Sequence, residues 1–490
     1  MARRVLAFDF GASSGRAMIG TYADGRIELK EIHRFSNDPV ELNGTLYWDV
    51  LRLFFEIKQG IVKAKLDGGF DAIGIDTWGV DFGLLDREGN LLQNPVHYRD
   101  LRTEGMIEEV CKILPREKIF EITGSQFLRL NTLYQMYYLN RYKKDLIDRT
   151  ESMLFMPDLF AYFLTGVKKA EYSIASTSQM MDVRKGTWAF DMLKELGIET
   201  RILPEIMDAG EVYGTLSPKI CDELGVDPVP VVAVCTHDTG SAVAAVPTQA
   251  DKFCYVSSGT WSLFGTELHT PVVTPECLKF NLTNEGGYGR SVRLLKNIMG
   301  LWLIQESRRQ WIREGLDASF NYIEQEALKA KPFRSFIDPD YPDFEMPGNL
   351  PKRIQDYCIR THQYVPQGVG EVARVIYQSL ALKYRYVLEG IQSLCGTKFE
   401  VLHLVGGGGK DKLLSQMAAD ACNLTVMAGP TEATALGNVG VQLLSLGDFK
   451  DLKSVRKAIA AGGELKTYLS NNDDEWEDAY RRFREITRLA

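Results

Sequence analysis

The chain has 490 residues, of which 45% are apolar and 25% charged, and its formal net charge is -8. This length exceeds what one hydrophobic core normally serves, so we expect two domains of roughly 250 residues. An acidic chain without long basic runs is unsuited to nonspecific binding of nucleic acid or anionic membrane, which excludes those classes of function. Phosphate binding remains open, because backbone N–H groups and a metal ion can hold phosphates locally.

Cellular location is predicted from the cysteines and the first residues. The eight cysteines form no C-x-x-C pair and have no histidine at zinc spacing, which favours free thiols in a reducing compartment. The apolar run after the basic start ends at Asp9, too early for a signal peptide, and no stretch is long enough to span a membrane. We therefore expect a cytoplasmic protein with neither a membrane nor a nucleic-acid partner.

The first third of the chain predicts an α/β architecture. Three apolar runs separated by glycine-containing turns are typical of a β-meander, and they lie at 5–10, 16–22 and 27–33. Helical periodicity over 50–65 is followed by a buried-strand pattern at 72–75. Such alternation of strands and helices is typical of an α/β fold.

The first turn, 11–15, is a candidate phosphate-binding site. Its small residues let backbone N–H groups approach an anion closely, and the hydroxyls of Ser13 and Ser14 add donors. The carboxylate of Asp9, at the end of the first strand, can hold Mg²⁺ through water. The alternative is an ordinary β-turn with a satisfied aspartate.

Two further motifs carry acids at the ends of predicted strands. In 74–81, Trp78 stands near Asp76 and Asp81, a suitable lining for a sugar, and core packing of Trp78 is the alternative. Asp238 lies between the apolar run 229–235 and a small-residue helix. It is either a helix N-cap or a general base for an attacking hydroxyl.

The second half repeats the opening pattern. A strand-like run at 253–257, a small-residue turn and a second run at 261–266 suggest a duplicated domain with its boundary near 245–250. The glycines 406–409, between a strand and a helix, predict a helix N-terminus that an anion or a nucleotide can approach, and a loose turn is the alternative. The Ala/Gly-rich stretch 428–438 either packs tightly or lines an adenine. The segment 331–366 is rich in Pro, Asp and Tyr and has little periodicity, so we expect a surface excursion or a loop-rich cap without chemistry.

The order of these motifs resembles the sugar kinases of the actin-like ATPase superfamily, and within it the FGGY carbohydrate kinases. The resemblance covers nearly the whole chain. It is carried by the strings 10–16, 31–35, 74–82, 131–135, 237–239, 257–263, 284–287, 295–302 and 406–409. It implies two actin-like, ribonuclease H-like domains with a catalytic cleft between them. These would be a sugar-binding domain over 1–247 and a mainly ATP-binding domain over 248–490, whose last helices pack back on the first.

The resemblance also implies site residues. Asp238 matches the proton acceptor of the family, and Asp9 matches the acid near the metal. ATP would be bound by Ala12, Ser13, Ser14, Gly15, Arg16, Thr260, Gln305 and Gly407. The sugar would contact Gly79, His237, Asp238, Thr239 and Asn297.

The implied reaction uses ATP and Mg²⁺. The strings are most similar to the branch of the family that phosphorylates L-rhamnulose at its C1 hydroxyl, giving L-rhamnulose 1-phosphate in rhamnose catabolism. L-Fuculose, L-xylulose and L-ribulose are alternative substrates, because a methyl pocket discriminates by only about 1–3 kcal/mol. We expect a monomer or small homo-oligomer.

Two features depart from the family pattern. Gly409-Lys410 stands where a Cys-Gln type sequence is expected, which affects the shape of the adenine wall rather than the reaction. The cysteine pairs of the family have no clear counterparts, so we predict no disulfides. A non-catalytic sugar-binding regulator with an actin-like fold is the alternative class. Such regulators typically carry a helix-turn-helix ahead of the fold, and the phosphate turn here begins at residue 11.

Overall fold

The computed structural model describes residues 2–463, 465–471 and 474–489. The chain divides into two compact units. The first unit comprises Met1–Ala250, Glu267–Leu294 and Glu432–Gly463, and the second comprises Asp251–Thr266, Leu295–Thr431 and Glu464–Ala490. No helix in the described part of the chain has the length and apolar character needed to cross a bilayer. All eight cysteines are free thiols.

The strands of the described residues fall mainly into two large sheets. In chain order they are β1 (Arg3–Phe10), β2 (Ser14–Ala23), β3 (Arg26–Ser36), β4 (Val40–Leu42), β5 (Thr45–Tyr47), β6 (Ile73–Thr77), β7 (Phe82–Leu85), β8 (Ser152–Phe155), β9 (Lys169–Glu171), β10 (Met181–Asp182), β11 (Thr187–Trp188), β12 (Glu205–Met207), β13 (Val212–Thr215), β14 (Pro230–Val232), β15 (Cys254–Ser258), β16 (Trp261–Leu268), β17 (Thr283–Gly286), β18 (Val292–Met299), β19 (Val401–Val405), β20 (Thr425–Ala428) and β21 (Lys466–Tyr468).

The helices range from a single turn to 28 residues in length. In chain order they are α1 (Val50–Leu66), α2 (Met106–Ile113), α3 (Arg116–Thr123), α4 (Thr132–Tyr142), α5 (Lys144–Arg149), α6 (Met156–Thr165), α7 (Tyr172–Ala175), α8 (Phe190–Glu195), α9 (Pro218–Leu224), α10 (Asp238–Ala244), α11 (Pro275–Phe280), α12 (Trp302–Arg313), α13 (Phe320–Lys329), α14 (Leu350–Arg360), α15 (Gly368–Cys395), α16 (Lys412–Cys422), α17 (Ala433–Ser445), α18 (Leu452–Gly462) and α19 (Glu475–Thr487).

The two large sheets share one pattern of strand pairing. In the sheet β13-β14-β6-β1-β2-β3, β1 is antiparallel to β2 and parallel to β6, and β6 is parallel to β14. In the sheet β17-β18-β16-β15-β19-β20-β21, β15 is antiparallel to β16 and parallel to β19, and β19 is parallel to β20. The predictions of an α/β fold and of a duplicated strand–turn–strand unit are confirmed.

The hydrophobic pattern of the first strand and first helix explains their packing. Residues 5–10 of β1 are buried on both faces, as expected for a strand at the centre of a sheet. The Asp49 carboxylate accepts a hydrogen bond from the N–H of Arg52 and so caps α1. Gly60 of α1 lets the helix approach the sheet closely, because a Cβ there would lie 2.5 Å from the ring of Phe8. The cap of α1 is a local signal, whereas its glycine serves the packing of the helix against β1.

The segment 331–366 is not the surface excursion that its composition predicts. It contains the helix α14, which begins after the N-cap Asn349, and Phe336 and Phe344 are fully buried. Its Asp338 and Asp340 pair with the buried Lys383 of α15 at 2.8 and 2.9 Å. The prediction failed because the proline-rich sequence masks a capped helix and an internal ion pair.

Candidate active site

The predicted site residues divide between the two units. Those in the first unit are Asp9, Ala12, Ser13, Ser14, Gly15, Arg16, Gly79, His237, Asp238 and Thr239. Those in the second unit are Thr260, Asn297, Gln305 and Gly407.

In the first unit, the turn between β1 and β2 is held by hydrogen bonds from Asn37, the residue that follows β3. The N–H of Gly11 donates to the carbonyl of Ser14 at 2.9 Å. The N–H of Asn37 donates to the carbonyl of Ser13 at 3.1 Å, and its side-chain amide donates to the carbonyl of Gly11 at 2.9 Å. These bonds use carbonyl groups of the turn, and Ser13 is exposed. The arrangement suits a turn that presents donors to an anion.

A charged cluster lies beside this turn. Asp9 and Arg16 are paired in the register of β1 and β2, and Nη2 of Arg16 lies 2.6 Å from Oδ2 of Asp9. Nη1 of Arg16 pairs with the carboxylate of Glu432. Both side chains of the Asp9–Arg16 pair are largely buried, which strengthens the attraction relative to a surface pair. Sequence reasoning missed Glu432 here because it lies more than four hundred residues away.

A second acid, Asp76, stands next to Asp9 on the parallel strand β6. Asp76 is fully buried, and its Oδ2 accepts a hydrogen bond from Nδ2 of Asn438 at 2.6 Å. Its Oδ1 has no hydrogen-bond partner within the described residues. Burial, reinforced by the charge of Asp9, raises the pKa of Asp76 well above its usual range.

The oxygens at this end of the sheet are chemically suited to a divalent cation. Carboxylate oxygens are the hard donors that Mg²⁺ takes, usually one or two of them with several waters. Asp9 offers a carboxylate, and Asp76 carries a buried oxygen without a partner among the described residues. No group of three or more His, Cys, Asp or Glu side chains within residues 2–463, 465–471 and 474–489 is arranged to hold a metal ion.

Trp78 belongs to the hydrophobic core of the first unit. It is 5% exposed, and its ring lies 4.1 Å from that of Trp48. Both indole N–H groups donate to Oδ2 of Asp81, at 3.0 Å from Trp78 and 2.6 Å from Trp48. Burial, opposed by these donors, raises the pKa of Asp81 to about 6. The core-packing interpretation of Trp78 therefore matches the structure, and the sugar-lining one does not.

Gly79 is followed by Val80, a residue with a strained backbone conformation. Val80 has a φ of 66°, a left-handed conformation that is rare for a β-branched residue. Two threonine hydroxyls keep it there: Thr177 accepts from the N–H of Val80 at 3.1 Å, and Thr132 donates to its carbonyl at 2.7 Å. A Cβ on Gly79 would lie 3.1 Å from Oγ1 of Thr177, so the position has little room for a side chain.

Asp238 is the first residue of α10 and not its N-cap, which is His237. The N–H and hydroxyl of Thr239 donate to Oδ1 of Asp238 at 2.6 and 3.2 Å, and Nε2 of His237 lies 3.4 Å from the same oxygen. The two hydrogen bonds from the N–H and the hydroxyl of Thr239 thus both go to Oδ1 of this carboxylate. The side chain is 32% exposed. Burial raises the pKa of Asp238, and His237 opposes that rise.

A buried glutamate that sequence reasoning missed fixes the backbone ahead of Asp238. Oε2 of Glu171 accepts from the N–H and the hydroxyl of Thr236 at 3.0 and 2.8 Å. The hydroxyl of Ser173 donates to the same oxygen at 2.5 Å and accepts from the N–H of His237 at 3.2 Å. Glu171 also caps α7, so one side chain ties α7 to the strand-to-helix junction. A capping glutamate at 171 has no distinctive sequence pattern.

The Ala/Gly-rich helix α17 packs against α10 in the first unit. A Cβ on Gly437 would lie 1.8 Å from the carbonyl oxygen of Ser241, so only glycine permits this approach. Asn438 binds Asp76, and Gln442 donates to the carbonyl of Leu6 at 3.1 Å. Tight packing therefore accounts for the small residues of this stretch.

In the second unit, the turn between β15 and β16 is docked on the start of α12. The N–H of Gly259 donates to the carbonyl of Trp261 at 2.8 Å. The carbonyl of Thr260 accepts from the N–H groups of Gly300 and Trp302, both at 3.1 Å. Thr260 lies in this turn and Gln305 lies in α12, and both are predicted to contact ATP. The hydrogen bonds therefore join the two elements that carry these residues.

The late glycines form a 3₁₀ turn, Gly407–Lys410, ahead of the helix α16. A Cβ on Gly408 would lie 2.0 Å from Oγ of Ser258, whereas a Cβ on Gly407 would meet nothing within 4 Å. The Asp411 carboxylate caps α16 by accepting from the N–H of Leu414 at 2.9 Å. The open position of this turn is Gly407, and the approach of a nucleotide there stays a prediction.

Comparison with known proteins gives consistent matches over the chain. The N-terminal domain of the FGGY family of carbohydrate kinases matches residues 4–245, and the C-terminal domain of that family matches residues 254–446. A rhamnulokinase of Bacteroides thetaiotaomicron is 40% identical over 489 residues, which cover 100% of both chains. A rhamnulokinase of Oceanobacillus iheyensis is 41% identical over 466 residues, 94% of this chain and 97% of its own length.

Solved structures share the fold at much lower identity. A gluconate kinase from Lactobacillus acidophilus matches with a TM-score of 0.82 and 15% identity, over 99% of this chain and 98% of its own. That identity supports the fold alone. The two domain matches together span most of the chain, and the full-length relatives agree with them. The chain therefore belongs to the FGGY family of carbohydrate kinases, which are phosphotransferases that use a sugar, ATP and a divalent cation.

Proposed function

We propose that this kinase transfers the γ-phosphoryl group of ATP to the C1 hydroxyl of L-rhamnulose, giving L-rhamnulose 1-phosphate and ADP. The choice of substrate is supported by end-to-end identity of about 40% to proteins named rhamnulokinase. The chemistry is supported above all by one observation in the first unit. The Asp238 carboxylate accepts two hydrogen bonds from Thr239 at Oδ1, with Nε2 of His237 at 3.4 Å from the same oxygen, which leaves Oδ2 to accept a proton.

Asp238 is proposed as the general base. Oδ2 of Asp238 takes the proton of the C1 hydroxyl while the C1 oxygen of the ketose forms a bond to the γ-phosphorus. The bond between the γ-phosphorus and the oxygen that links it to the β-phosphate breaks, and ADP leaves. Phosphoryl transfer needs little covalent help from a protein, so positioning and stabilisation of charge dominate. The rigid helix start and the network behind it supply that positioning for Asp238.

The remaining predicted contacts are proposed for the two substrates. The ketose would contact Gly79, His237, Asp238, Thr239 and Asn297. ATP would contact Ala12, Ser13, Ser14, Gly15, Arg16, Thr260, Gln305 and Gly407. We further propose the functional division into a sugar-binding domain, 1–247, and a mainly ATP-binding domain, 248–490.

The divalent cation is proposed to be Mg²⁺, held near Asp9 through water. When bound, it would neutralise charge on the phosphate oxygens. Arg16, beside Asp9, would orient that carboxylate and contribute positive charge toward the phosphates.

A panel of ketoses in an ADP-release assay tests the substrate. We expect L-rhamnulose to give the highest kcat/KM, ahead of L-fuculose, L-xylulose and L-ribulose. A higher kcat/KM on L-fuculose would replace the proposed substrate but leave the class intact. Absence of ADP release with every ketose, alongside calorimetric binding of one of them, would instead indicate a sugar-binding regulator.

The role of Asp238 is tested separately by Asp238→Asn. We expect kcat to fall by about 10²- to 10⁴-fold, the usual contribution of a positioned base. Binding of the ketose, measured by calorimetry, should survive, because asparagine keeps the shape and an acceptor oxygen. Turnover close to that of the unmodified enzyme would remove Asp238 from the role of base.

A further inference from the structure

An arginine with no solvent exposure stands behind the proposed catalytic residues of the first unit. Arg293 is 0% exposed, and its Nε donates to the carbonyl of Gly286 at 2.8 Å. Its Nη2 lies 3.1 Å from Nδ1 of His237 in hydrogen-bonding geometry, and 3.3 Å from Oε2 of Glu285. Its Nη1 has no acceptor within the described residues. Burying a guanidinium with one unsatisfied nitrogen costs stability, so packing alone does not account for this arginine.

We propose that Arg293 is a positioning residue for the reaction. Its Nη2–H donates to Nδ1 of His237 and thereby fixes the neutral imidazole in the tautomer whose Nε2–H faces Asp238. This proposal rests on the proposed function for its catalytic consequence, but its structural content is independent of the substrate.

The proton assignment follows from what each group can do. A guanidinium has only donors and keeps its protons in proteins, so the ring nitrogen facing it must be the acceptor. In a neutral imidazole one nitrogen accepts and the other carries the proton. With Nδ1 accepting from Arg293, the proton of His237 resides on Nε2, 3.4 Å from Oδ1 of Asp238.

Glu285 supplies the counter-charge and also the competing arrangement. Its Oε2 lies 3.3 Å from Nδ1 of His237 as well as 3.3 Å from Nη2 of Arg293. With Arg293 present, the carboxylate balances the buried positive charge. Without Arg293, the same carboxylate would attract a proton to Nδ1 and reverse the tautomer.

The tautomer matters for the base. With the proton on Nε2, His237 turns a positively polarised N–H toward Oδ1 of Asp238 at 3.4 Å, beside the two hydrogen bonds from Thr239. Oδ2 is then the oxygen left for the proton of the substrate. In the reversed tautomer, a ring lone pair would face the carboxylate and repel it from this orientation.

The direct test is NMR of the histidine side chains in the full chain. The chain has only six histidines, and His237→Gln identifies the resonances of His237. Protonated and unprotonated ring nitrogens have well-separated ¹⁵N shifts. We expect His237 of the unmodified protein to show a protonated Nε2 and an unprotonated Nδ1. A protonated Nδ1 would overturn the proposal without any Arg293 variant and without any activity measurement.

Arg293→Met provides the second arm. We expect the His237 tautomer to reverse, with Nδ1 now protonated and facing Glu285. The kcat should fall by about 10- to 100-fold, the loss typical of groups that orient a catalytic residue from behind. The KM for ATP should change by less than about twofold, which a general loss of structure would not produce. Retention of the Nε2–H tautomer in this variant would overturn the proposal.

Glu285→Gln is the matched control for the tautomer. It removes the competing carboxylate but keeps Arg293, so the Nε2–H form should persist. A reversed tautomer in Glu285→Gln would show that Glu285 and not Arg293 sets the proton, and would overturn the proposal. If no ketose is phosphorylated while His237 shows the expected tautomer, the proposed function fails and the assignment to Arg293 stands.

Discussion

The hairpins β1–β2 and β15–β16, one in each large sheet, have the same backbone pairing but differ in charge. In the first, Phe10 pairs with Gly15 next to the turn, and Asp9 pairs with Arg16 one step further out. The turn is closed by an N–H to carbonyl bond of 2.9 Å from Gly11. The pair next to the turn is thus apolar, and the pair behind it is an ion pair.

The second hairpin carries no charge at the same places. Ser258 pairs with Ser262 next to the turn, and Ser257 pairs with Leu263 one step further out. A bond of 2.8 Å from the N–H of Gly259 closes the turn in the same way. The two hairpins therefore have the same type of backbone turn. They differ in the residue pair one step from the turn, which is the ion pair Asp9–Arg16 in the first unit and the uncharged pair Ser257–Leu263 in the second.

Asp9→Asn is expected to have the largest effect, because it removes the charge that distinguishes the first hairpin. We expect kcat to fall by about 10²- to 10³-fold, the scale for loss of one preorganised electrostatic group. The matched control is Ser257→Ala at the corresponding position of β15, which should change kcat by less than about threefold. Both are measured by ADP release at saturating ketose and ATP. Equal losses in the two variants would break the distinction between the hairpins.

The glycine turn after β19 separates packing from binding in the second unit. Gly408→Ala should lower the free energy of unfolding by about 1–3 kcal/mol, because its Cβ would overlap Oγ of Ser258. Gly407→Ala, whose Cβ would meet nothing, should leave stability unchanged and raise the KM for ATP. Denaturant melts and ATP titrations measure the two effects. A stability loss in Gly407→Ala as large as that in Gly408→Ala would contradict the assignment of these roles.

The acid limb of the pH–rate profile probes Asp238 in the first unit. Burial raises the pKa of Asp238, so protonation should inactivate the base above the ordinary aspartate pKa of about 3.9 as pH falls. Thr239→Val removes the hydroxyl donor to Oδ1 and should move the acid limb of kcat/KM to higher pH. Gly407→Ala, in the second unit, should leave that limb in place. An unmoved limb in Thr239→Val would separate the observed titration from Asp238.

The sequence could predict the elements but not most of the partners. Local patterns sufficed for the opening strands, for α1 and for the repeated hairpin, because periodicity and turn residues encode them within a few positions. The reason for Gly15 was out of reach: a Cβ there would lie 2.3 Å from the ring of Phe35, a packing contact across the sheet. Glu432 beside Arg16 and Arg293 beside His237 are contacts between distant parts of the chain.

Composition misled where local and tertiary signals disagreed. Trp78 beside two acids suits a sugar site by type, but its N–H binds the buried Asp81, a role that only the packing with Trp48 reveals. The lack of periodicity in 331–366 predicted a loop, yet two of its aspartates neutralise a lysine inside the second unit. Buried ion pairs such as these are hard to predict from a sequence, because the two partners lie far apart along the chain.

Buried charged groups in the two units should give opposite slopes of the free energy of unfolding with pH. Lys296 of β18 is 6% exposed, and burial, with the nearby charge of Lys383, lowers its pKa to about 8. Between pH 8 and about 10 the unfolded chain therefore holds a proton on this lysine that the folded chain lacks. The free energy of unfolding should rise with pH over that interval because of Lys296.

Lys296→Met should remove that rise, by at most about 2–3 kcal/mol at roughly 1.4 kcal/mol per pKa unit. The difference between the unfolding free energies of the unmodified protein and the variant, measured in urea at pH 8, 9 and 10, isolates this lysine from other titrations. Asp76→Asn is the opposite case in the first unit. The raised pKa of Asp76 costs stability as pH rises through it, so that variant should remove a fall. Parallel pH curves for Lys296→Met and the unmodified protein would show that Lys296 stays charged when folded, and the contrast between the units would then rest on the hairpins alone.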